Sequence, residues 1–138
     1  MAIKVVLEKG AKLPVRAHRA DAGLDFFTPE DVCVHAKGSA IVDTGVHIEI
    51  PLGWVGFVKS KSGLMCNKEV VTDGTVDAEY TGTVRIKLFN RGEKPVYFKA
   101  GDKIAQMVIV PCLLDEVEEA TELADTERGE GGFGSTGR

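Results

Sequence analysis

The sequence predicts an all-β fold, a jelly-roll-like barrel or sandwich that continues into an extended, mobile, glycine-rich C-terminal arm. Short apolar segments recur along the chain with turn residues between them, and helical periodicity is almost absent. Many short strands with such spacing are typical of antiparallel barrels and sandwiches. The last eleven residues contain five glycines and cannot form a core element.

The predicted strands are short, and Gly, Pro or charged residues separate them. The most regular one alternates Val84, Ile86 and Leu88 with Arg85 and Lys87, the two-residue period of a half-buried strand. The predicted strands are 3–7, 24–27, 32–34, 40–42, 46–50, 54–58, 84–89, 96–98 and 104–110.

Length and composition indicate one globular domain. The 138 residues are 43% hydrophobic and 28% charged, which is ordinary for a protein with a sizeable core. We divide the chain into a β domain over 1–125 and a flexible lid over 126–138. The net charge of −4 argues against nucleic acid as a partner, because polynucleotides require a basic face. A small phosphorylated ligand is still compatible with it, since local cations can focus positive potential in one cleft.

No targeting or membrane-spanning segment is predicted, because Lys4 interrupts the apolar N-terminus and no later apolar run is long enough. The three cysteines, Cys33, Cys66 and Cys112, form no CxxC pair and are odd in number. Free thiols in a reducing compartment are therefore expected. We expect a cytoplasmic or nuclear protein, or one inside the host cell if it is viral, and not a secreted one.

The segment 70–90 carries the most informative pattern. Its dipeptide Asp73-Gly74 lies between two β-prone pairs and predicts a hairpin turn. Asp77 and Tyr80 follow closely. A hairpin that presents a carboxylate and an aromatic ring beside its own backbone would suit a small planar ligand, whereas a surface turn with a solvated acid is the simpler alternative.

Three further polar features stand out. Segment 59–64 holds two amines and two hydroxyls, and Ser62 could cap a helical turn whose amides bind phosphate; a polar loop is the alternative. Gln106 lies in the apolar strand 104–110, where an unpaired buried amide costs about 1–3 kcal/mol. It must therefore bind either a ligand or the neighbouring backbone. Asp25 is either the floor of a pocket or a satisfied turn carboxylate.

The C-terminal segment combines Arg128, Phe133, Ser135 and Thr136 with flexible glycines. Consecutive amides in such a segment can surround phosphate oxygens. An aromatic ring can stack on a base, which is worth about 1–3 kcal/mol. A disordered linker is the alternative. The preceding residues 113–124 fit a helix and an extended arm equally well.

Taken in order, five segments resemble the five motifs of the trimeric deoxyuridine triphosphate nucleotidohydrolases (dUTPases). The segments are AGLD at 22–25, KSGL at 61–64, GTVDAEYTG at 74–82, GDKIAQ at 101–106 and RGEGGFGSTG at 128–137. The third and fifth are the specific ones. The family usually carries Arg where Lys61 stands and often where Lys103 stands, and an amine supplies a point charge in place of a bidentate fork.

The resemblance implies a jelly-roll homotrimer with three active sites at subunit junctions. One subunit would supply the first, second and fourth motifs, another the hairpin, and the third its C-terminal arm. Segment 113–124 would then be extended and reach a neighbour. The implied reaction is Mg²⁺-assisted hydrolysis of dUTP to dUMP and pyrophosphate, which keeps uracil out of DNA and supplies dUMP for thymidylate synthesis.

The resemblance also implies a role for each matching residue. Asp77 would activate the attacking water, and Tyr80 would pack under the deoxyribose. Mg²⁺ would be held by the phosphates and by waters, with Asp25 contacting it through water. The backbone of the predicted hairpin, including Gly74, Thr75 and Val76, would pair with uracil. The residues expected to hold phosphates are Lys61, Ser62, Gly63 and Gln106. The residues expected to close over the nucleotide are Arg128, Phe133, Gly134, Ser135 and Thr136.

Two rival functions remain at this point. A deoxycytidine triphosphate deaminase shares the fold, but that family lacks the Gly-Phe-Gly-Ser-Thr tail and the pairing of Asp77 with Tyr80. Release of ammonia instead of pyrophosphate would identify it. The non-enzymatic rival is a trimer that binds nucleotide and signals to a regulatory protein partner, as some virus-borne members of the dUTPase family do.

Overall fold

The structure is a computed structural model that describes residues 2–137, and within them it contains eleven strands and one helix. The elements, in chain order, are β1 (Val5–Leu7), β2 (Gly23–Phe27), β3 (Val32–Val34), β4 (Ser39–Asp43), β5 (Val46–Ile48), β6 (Trp54–Lys59), α1 (Ser62–Lys68), β7 (Val70–Val71), β8 (Asp73–Val76), β9 (Arg85–Asn90), β10 (Val96–Phe98) and β11 (Lys103–Pro111).

The strands form four antiparallel sheets whose neighbours come from distant parts of the chain. The largest has the order β2-β11-β6-β8, the next has the order β4-β9-β7, and β1-β5 and β10-β3 form two-stranded pairs. Non-sequential neighbours of this kind are typical of jelly-roll sandwiches. The all-β prediction is confirmed.

Apolar residues from these sheets meet in one core. Phe26, Ile86, Leu88 and Met107 are at most 1% exposed. In β9 the buried and exposed residues alternate from Arg85 onward, as the two-residue period predicts. Within residues 2–137 no helix is long and apolar enough to cross a membrane. The thiols of all three cysteines are free.

The predicted hairpin at Asp73-Gly74 is wrong. Strand β7 pairs with β9, whereas β8 pairs with β6 in a different sheet, so the chain crosses between sheets at Thr72. Thr72 is buried: its amide donates to Ser60 Oγ (2.9 Å) and its hydroxyl to the Lys87 carbonyl (2.7 Å). These bonds tie both sheets to one residue, and the Asp-Gly pair stays extended within β8.

After β11 the described chain contains no further helix or strand. The helical alternative for 113–124 is therefore wrong, and the segment is extended or irregular. Its apolar side chains Leu113, Val117 and Leu123 are at least 83% exposed, so this chain does not cover them.

Candidate active site

A buried acid paired with two lysines forms the first part of the site. Asp25 in β2 is 3% exposed. Its Oδ1 accepts a hydrogen bond from Lys61 Nζ at 2.5 Å, and its Oδ2 lies 3.0 Å from Lys103 Nζ. Lys61 precedes α1 and Lys103 begins β11, so the sheet and the helix together bring both amines to one carboxylate.

The charge balance of this cluster favours an anion. Burial by itself raises the pKa of Asp25, but hydrogen bonds from Lys61 and Lys103 and their charges outweigh burial and hold the pKa below its usual value of 3.8. Two ammonium groups therefore face one carboxylate, which leaves one net positive charge. Both lysine side chains are partly exposed, so this charge is accessible to a bound phosphate.

Gln106 lies opposite Asp25 in the β2–β11 register. Its Nε2 donates to the Ser60 carbonyl at 3.0 Å, so the backbone alternative for this amide is the one that the chain adopts. A Cβ at Gly23 would lie 2.1 Å from Gln106 Oε1, so a larger residue there would have to displace the Gln106 amide from this position. Gln106 thus fixes the backbone just before Lys61.

Helix α1 differs from the prediction at its first residue. The N-cap is Lys61, whose side chain makes no capping hydrogen bond, and Ser62 is already helical. The sequence predicts Ser62 as the cap, whereas the structure has the cap one residue earlier, at Lys61, whose side chain contacts Asp25. The first intrahelical amide bond is from Met65 to the Lys61 carbonyl (2.9 Å), so the amides of Ser62 and Gly63 have no intrahelical acceptor.

The turn between β8 and β9 carries the second part of the site. Asp77 is exposed, and its carbonyl accepts from the Tyr80 amide at 3.3 Å. The Tyr80 hydroxyl donates to the Thr83 carbonyl at 2.8 Å, which fixes the ring against its own turn. A Cβ at Gly82 would lie 2.4 Å from that hydroxyl, so the ring position requires glycine there.

Strand β8 leads into this turn and forms one edge of the four-stranded sheet. Its residues pair with β6 on one side, including Thr75 with Phe57 and Val76 with Gly56. The donors and acceptors on the other side of an edge strand are free to bind an added partner. The predicted hairpin backbone is thus an edge strand, which can still offer peptide groups to a base.

The two parts of the site are far apart within one chain. Asp25, Gln106, Lys59 and Asp73 are successive register partners across the sheet. Three strand spacings separate Asp25 from Asp73, or roughly 14 Å, and Asp77 lies about another 13 Å along the strand direction. The two offsets together give a separation on the order of 20 Å between Asp25 and Asp77 within one chain.

The C-terminal segment 126–137 forms neither part. Its hydrogen bonds within the described chain are internal, for example from Arg128 Nε to the Gly131 carbonyl (2.6 Å) and from the Ser135 amide to the Gly132 carbonyl (3.1 Å). Phe133 is fully exposed, and Gly134, Ser135 and Thr136 are exposed as well. One chain therefore does not bring the predicted lid to either Asp25 or Asp77.

Sequence reasoning missed one residue that contacts the turn. His47 in β5 lies between buried Val46 and Ile48, and its ring bonds to the Thr81 carbonyl and to Glu8. The three histidines of the sequence are not spaced like metal ligands, so no functional role was predicted for His47. Nothing in the sequence indicated its neighbours, because Thr81 and Glu8 come from distant parts of the chain.

Comparison with known proteins decides the family. A family model described as dUTPase matches residues 9–137. The chain belongs to the dUTPase family. It is 45% identical to a deoxyuridine 5'-triphosphate nucleotidohydrolase of Corynebacterium glutamicum over 142 aligned positions, which cover 99% of this chain and 95% of that protein. The resemblance inferred from the five motifs is confirmed.

Solved dUTPase structures share the fold. A Staphylococcus bacteriophage 80alpha dUTPase with dUPNHPP superposes with a TM-score of 0.94 at 32% identity and covers 99% of both chains. A dUTPase variant from phage phi11 of S. aureus superposes with a TM-score of 0.84 at 28% identity, covering 91% of this chain and all of that one. The latter is described as coordinating a structural Mg(II) ion.

The Asp25 cluster predicts a specific pH dependence of stability. We expect Asp25→Asn to lower the free energy of unfolding by about 1–3 kcal/mol at neutral pH, because it removes two charged hydrogen bonds. Since the folded-state pKa lies below 3.8, this stabilisation is fully present above 3.8 and is lost as the pH falls through the folded-state pKa. Urea unfolding of wild type and variant at several pH values measures the difference. Asp125→Asn, at an exposed position, is the matched control, and a difference that did not shrink in acid would contradict the ion-pair interpretation.

Proposed function

We propose that the chain hydrolyses dUTP to dUMP and pyrophosphate. The observation that carries the proposal is the β8–β9 turn, which holds a carboxylate and an aromatic ring beside a free strand edge. Family membership supports the same reaction. It also argues against the deaminase alternative, because the match to the dUTPase family model extends through the glycine-rich tail.

The free edge of β8 is suited to read the base. Peptide donors and acceptors of Gly74, Thr75 and Val76 can pair with the edge of uracil in the way that an added strand pairs with a sheet. Cytosine has an amine where uracil has a carbonyl, so its binding would leave buried polar groups of the protein unpaired. Unpaired buried polar groups are a strong source of discrimination between similar ligands. Val71 carries no amide side chain, so base contacts there come from the backbone.

Tyr80 is suited to select the sugar. Its ring is fixed by the bond to the Thr83 carbonyl, and 46% of the residue is exposed. A deoxyribose can pack on this ring, whereas a 2′-hydroxyl would meet it directly. The rejection of ribonucleotides would therefore depend on the shape of the ring.

The Asp25 cluster of another copy is suited to hold the triphosphate. Its net positive charge, the free amides of Ser62 and Gly63 at the start of α1, and the Gln106 side chain surround one surface. Hydrolysis of a phosphoryl group depends mainly on positioning and charge neutralisation, which these groups supply. Lys61 contributes as a point charge.

The donor set fits Mg²⁺ that arrives with the substrate. Within residues 2–137 no three His, Cys, Asp or Glu side chains are grouped to hold a metal ion, and Mg²⁺ commonly binds through substrate phosphates while keeping several waters. Asp25 would contact the ion through water, since both of its oxygens already face lysines. When bound, the ion would neutralise charge that develops on the phosphates.

Asp77 would orient and deprotonate the attacking water. It is exposed at the end of β8, so its carboxylate can reach a water beside a nucleotide that is bound along the strand edge. General-base catalysis of this kind contributes about 10²–10⁴-fold to the rate. The product groups, dUMP and pyrophosphate, then separate without a covalent intermediate on the protein.

A homotrimer would assemble these parts into one site. The separation of Asp77 from Asp25 within a chain supports sharing between copies, and so do the internal hydrogen bonds of segment 126–137. The exposed apolar side chains of 113–124 would reach a neighbour, and the segment from Arg128 to Thr136 would close over the nucleotide with Phe133 stacked on uracil.

Cellular context is a further proposal. The free thiols support a reducing compartment, which is cytoplasmic or nuclear, or the host interior for a viral protein. The similar 80alpha dUTPase is described as controlling the transfer of virulence genes by a G protein-like mechanism. If this chain is virus-borne, a regulatory protein partner would follow by the same reasoning.

A panel of triphosphates tests the proposed function. We expect pyrophosphate release from dUTP with Mg²⁺, a strongly reduced rate after chelation of the metal, and little release from dCTP, dTTP or UTP. Ammonia release from dCTP would instead indicate a deaminase. Binding of dUTP without any pyrophosphate release would support a nucleotide-dependent binding protein and would contradict the proposal.

Asp77→Asn should lower kcat for dUTP by about 10²–10⁴-fold and leave nucleotide affinity nearly unchanged, because only water activation is removed. Single-turnover hydrolysis and binding of a non-hydrolysable analogue measure the two quantities. Asp73→Asn is the matched control, since this exposed acid at the start of β8 pairs with Lys59 at 3.4 Å. An Asp77→Asn variant with the wild-type rate would remove Asp77 from the reaction.

Tyr80→Ala should raise the rate with UTP relative to dUTP by about tenfold or more, because the ring no longer occupies the space of a 2′-hydroxyl. Tyr80→Phe keeps the ring and loses only the bond to the Thr83 carbonyl, so it separates the contribution of the ring from that of the bond. The ratio of kcat/KM for the two substrates is the measurement. Equal ratios in wild type and the Ala variant would show that another group selects the sugar.

A further inference from the structure

His47 is placed to connect the N-terminal strand to the β8–β9 turn. Strand β5 lies beside β1, with His47 opposite Val6, and the imidazole is on the side away from the core. Its Nδ1 lies 2.7 Å from the Thr81 carbonyl and its Nε2 lies 2.8 Å from Glu8 Oε1. The residue therefore bridges two segments that have no other hydrogen bond to each other within the described chain.

Both partners of the ring can only accept hydrogen bonds. A backbone carbonyl has no proton to give, and neither has an ionised carboxylate. A neutral imidazole carries one N–H, so it can satisfy only one of the two partners. The bridge between Glu8 and Thr81 is complete only when His47 is an imidazolium.

The surrounding charges favour that protonated form. The pKa of His47 is raised, and the hydrogen bond to Glu8 is the largest cause, followed by the hydrogen bond to the Thr81 carbonyl. Burial lowers the pKa, whereas the charges of Glu8 and Asp43 raise it further. Asp43 is partly balanced by Arg85, whose Nε lies 3.6 Å away. The cavity of about 660 Å³ beside the ring is lined by further charged groups, namely Lys4, Glu49 and Glu79.

Tyr80 lines the same cavity as His47. Thr81 follows it directly, so the carbonyl that His47 holds belongs to the residue next to the predicted sugar contact. Glu79 on the other side adopts a left-handed conformation (φ 69°), which an L residue rarely takes unless its surroundings hold it. Hydrogen bonds to Thr44 and Val46 anchor the far end of the turn at Val84, whereas His47 contacts the turn directly beside Tyr80.

We propose that His47 is a positioning residue, which as an imidazolium bridges Glu8 and the Thr81 carbonyl and thereby holds Tyr80 where it selects deoxyribose. The proposal rests on the proposed dUTP hydrolysis and adds a pH-dependent control of substrate selection. Because the folded-state pKa of His47 is raised above 6.5, the bridge is complete below 6.5 and is lost as the pH rises through the folded-state pKa. Preference for dUTP over UTP should fall over the same range.

The test is the ratio of kcat/KM for dUTP to kcat/KM for UTP, measured from mildly acidic to alkaline pH. The two substrates share the triphosphate and Asp77, so titrations of those groups cancel in the ratio. In wild type we expect the ratio to fall by about tenfold with rising pH, the order expected for loss of a charged hydrogen bond. His47→Gln should have the low ratio at every pH, and His47→Arg, which stays charged, should keep the high ratio at every pH.

His35→Gln, an exposed histidine beyond β3, is the control and should follow the wild-type profile. A wild-type ratio that does not change with pH would overturn the proposal, and so would Gln and Arg variants that behave alike. In both cases dUTP hydrolysis itself would still be measured. A wild-type protein inactive toward dUTP at every pH would contradict the proposed function instead, so the two failures are distinguishable.

Discussion

The register of the four-stranded sheet is the constraint on which the rest of the site depends. It places Asp25, Gln106, Lys59 and Asp73 in one row and carries Asp77 to the far end of the edge strand. A slip of one residue would turn these side chains to the other face of the sheet, so the hydrophobic core holds the register firmly. Because the register is rigid, the groups that suit phosphates and the group that suits water activation cannot approach one another within one chain.

Each half of the site is organised locally by contacts that need no ligand. The buried Asp25 holds two lysines, and one net positive charge remains for a phosphate. Tyr80 is held against the Thr83 carbonyl, and Gly82 leaves it the space. Pre-organisation of this kind lowers the cost of ordering side chains when substrate binds. The tail is different, because within the described chain it is bonded only to itself and would have to become ordered around the nucleotide.

Much of this could be predicted from the sequence because the signals were local. The alternation around Ile86 marked β9, and short apolar segments between turns marked most other strands to within one or two residues. The prediction of a hairpin at Asp73-Gly74 was wrong because the chain crosses from one sheet to another at Thr72. This crossing depends on hydrogen bonds to Ser60 and Lys87, which are distant in sequence. Propensity and periodicity carry no information on which side chains meet across sheets. For this reason the sequence did not predict the pairing of Asp25 with two lysines or the bridge at His47.

The most direct test of a site shared between copies is subunit complementation. Asp77→Asn protein and protein truncated before Arg128 are each expected to be nearly inactive. When the two are unfolded together and refolded in equal amounts, random assortment should restore about a quarter of the wild-type activity, since some junctions then receive Asp77 from one copy and the tail from another. A refolded mixture no more active than its parents, or full activity in an isolated monomer, would contradict the account.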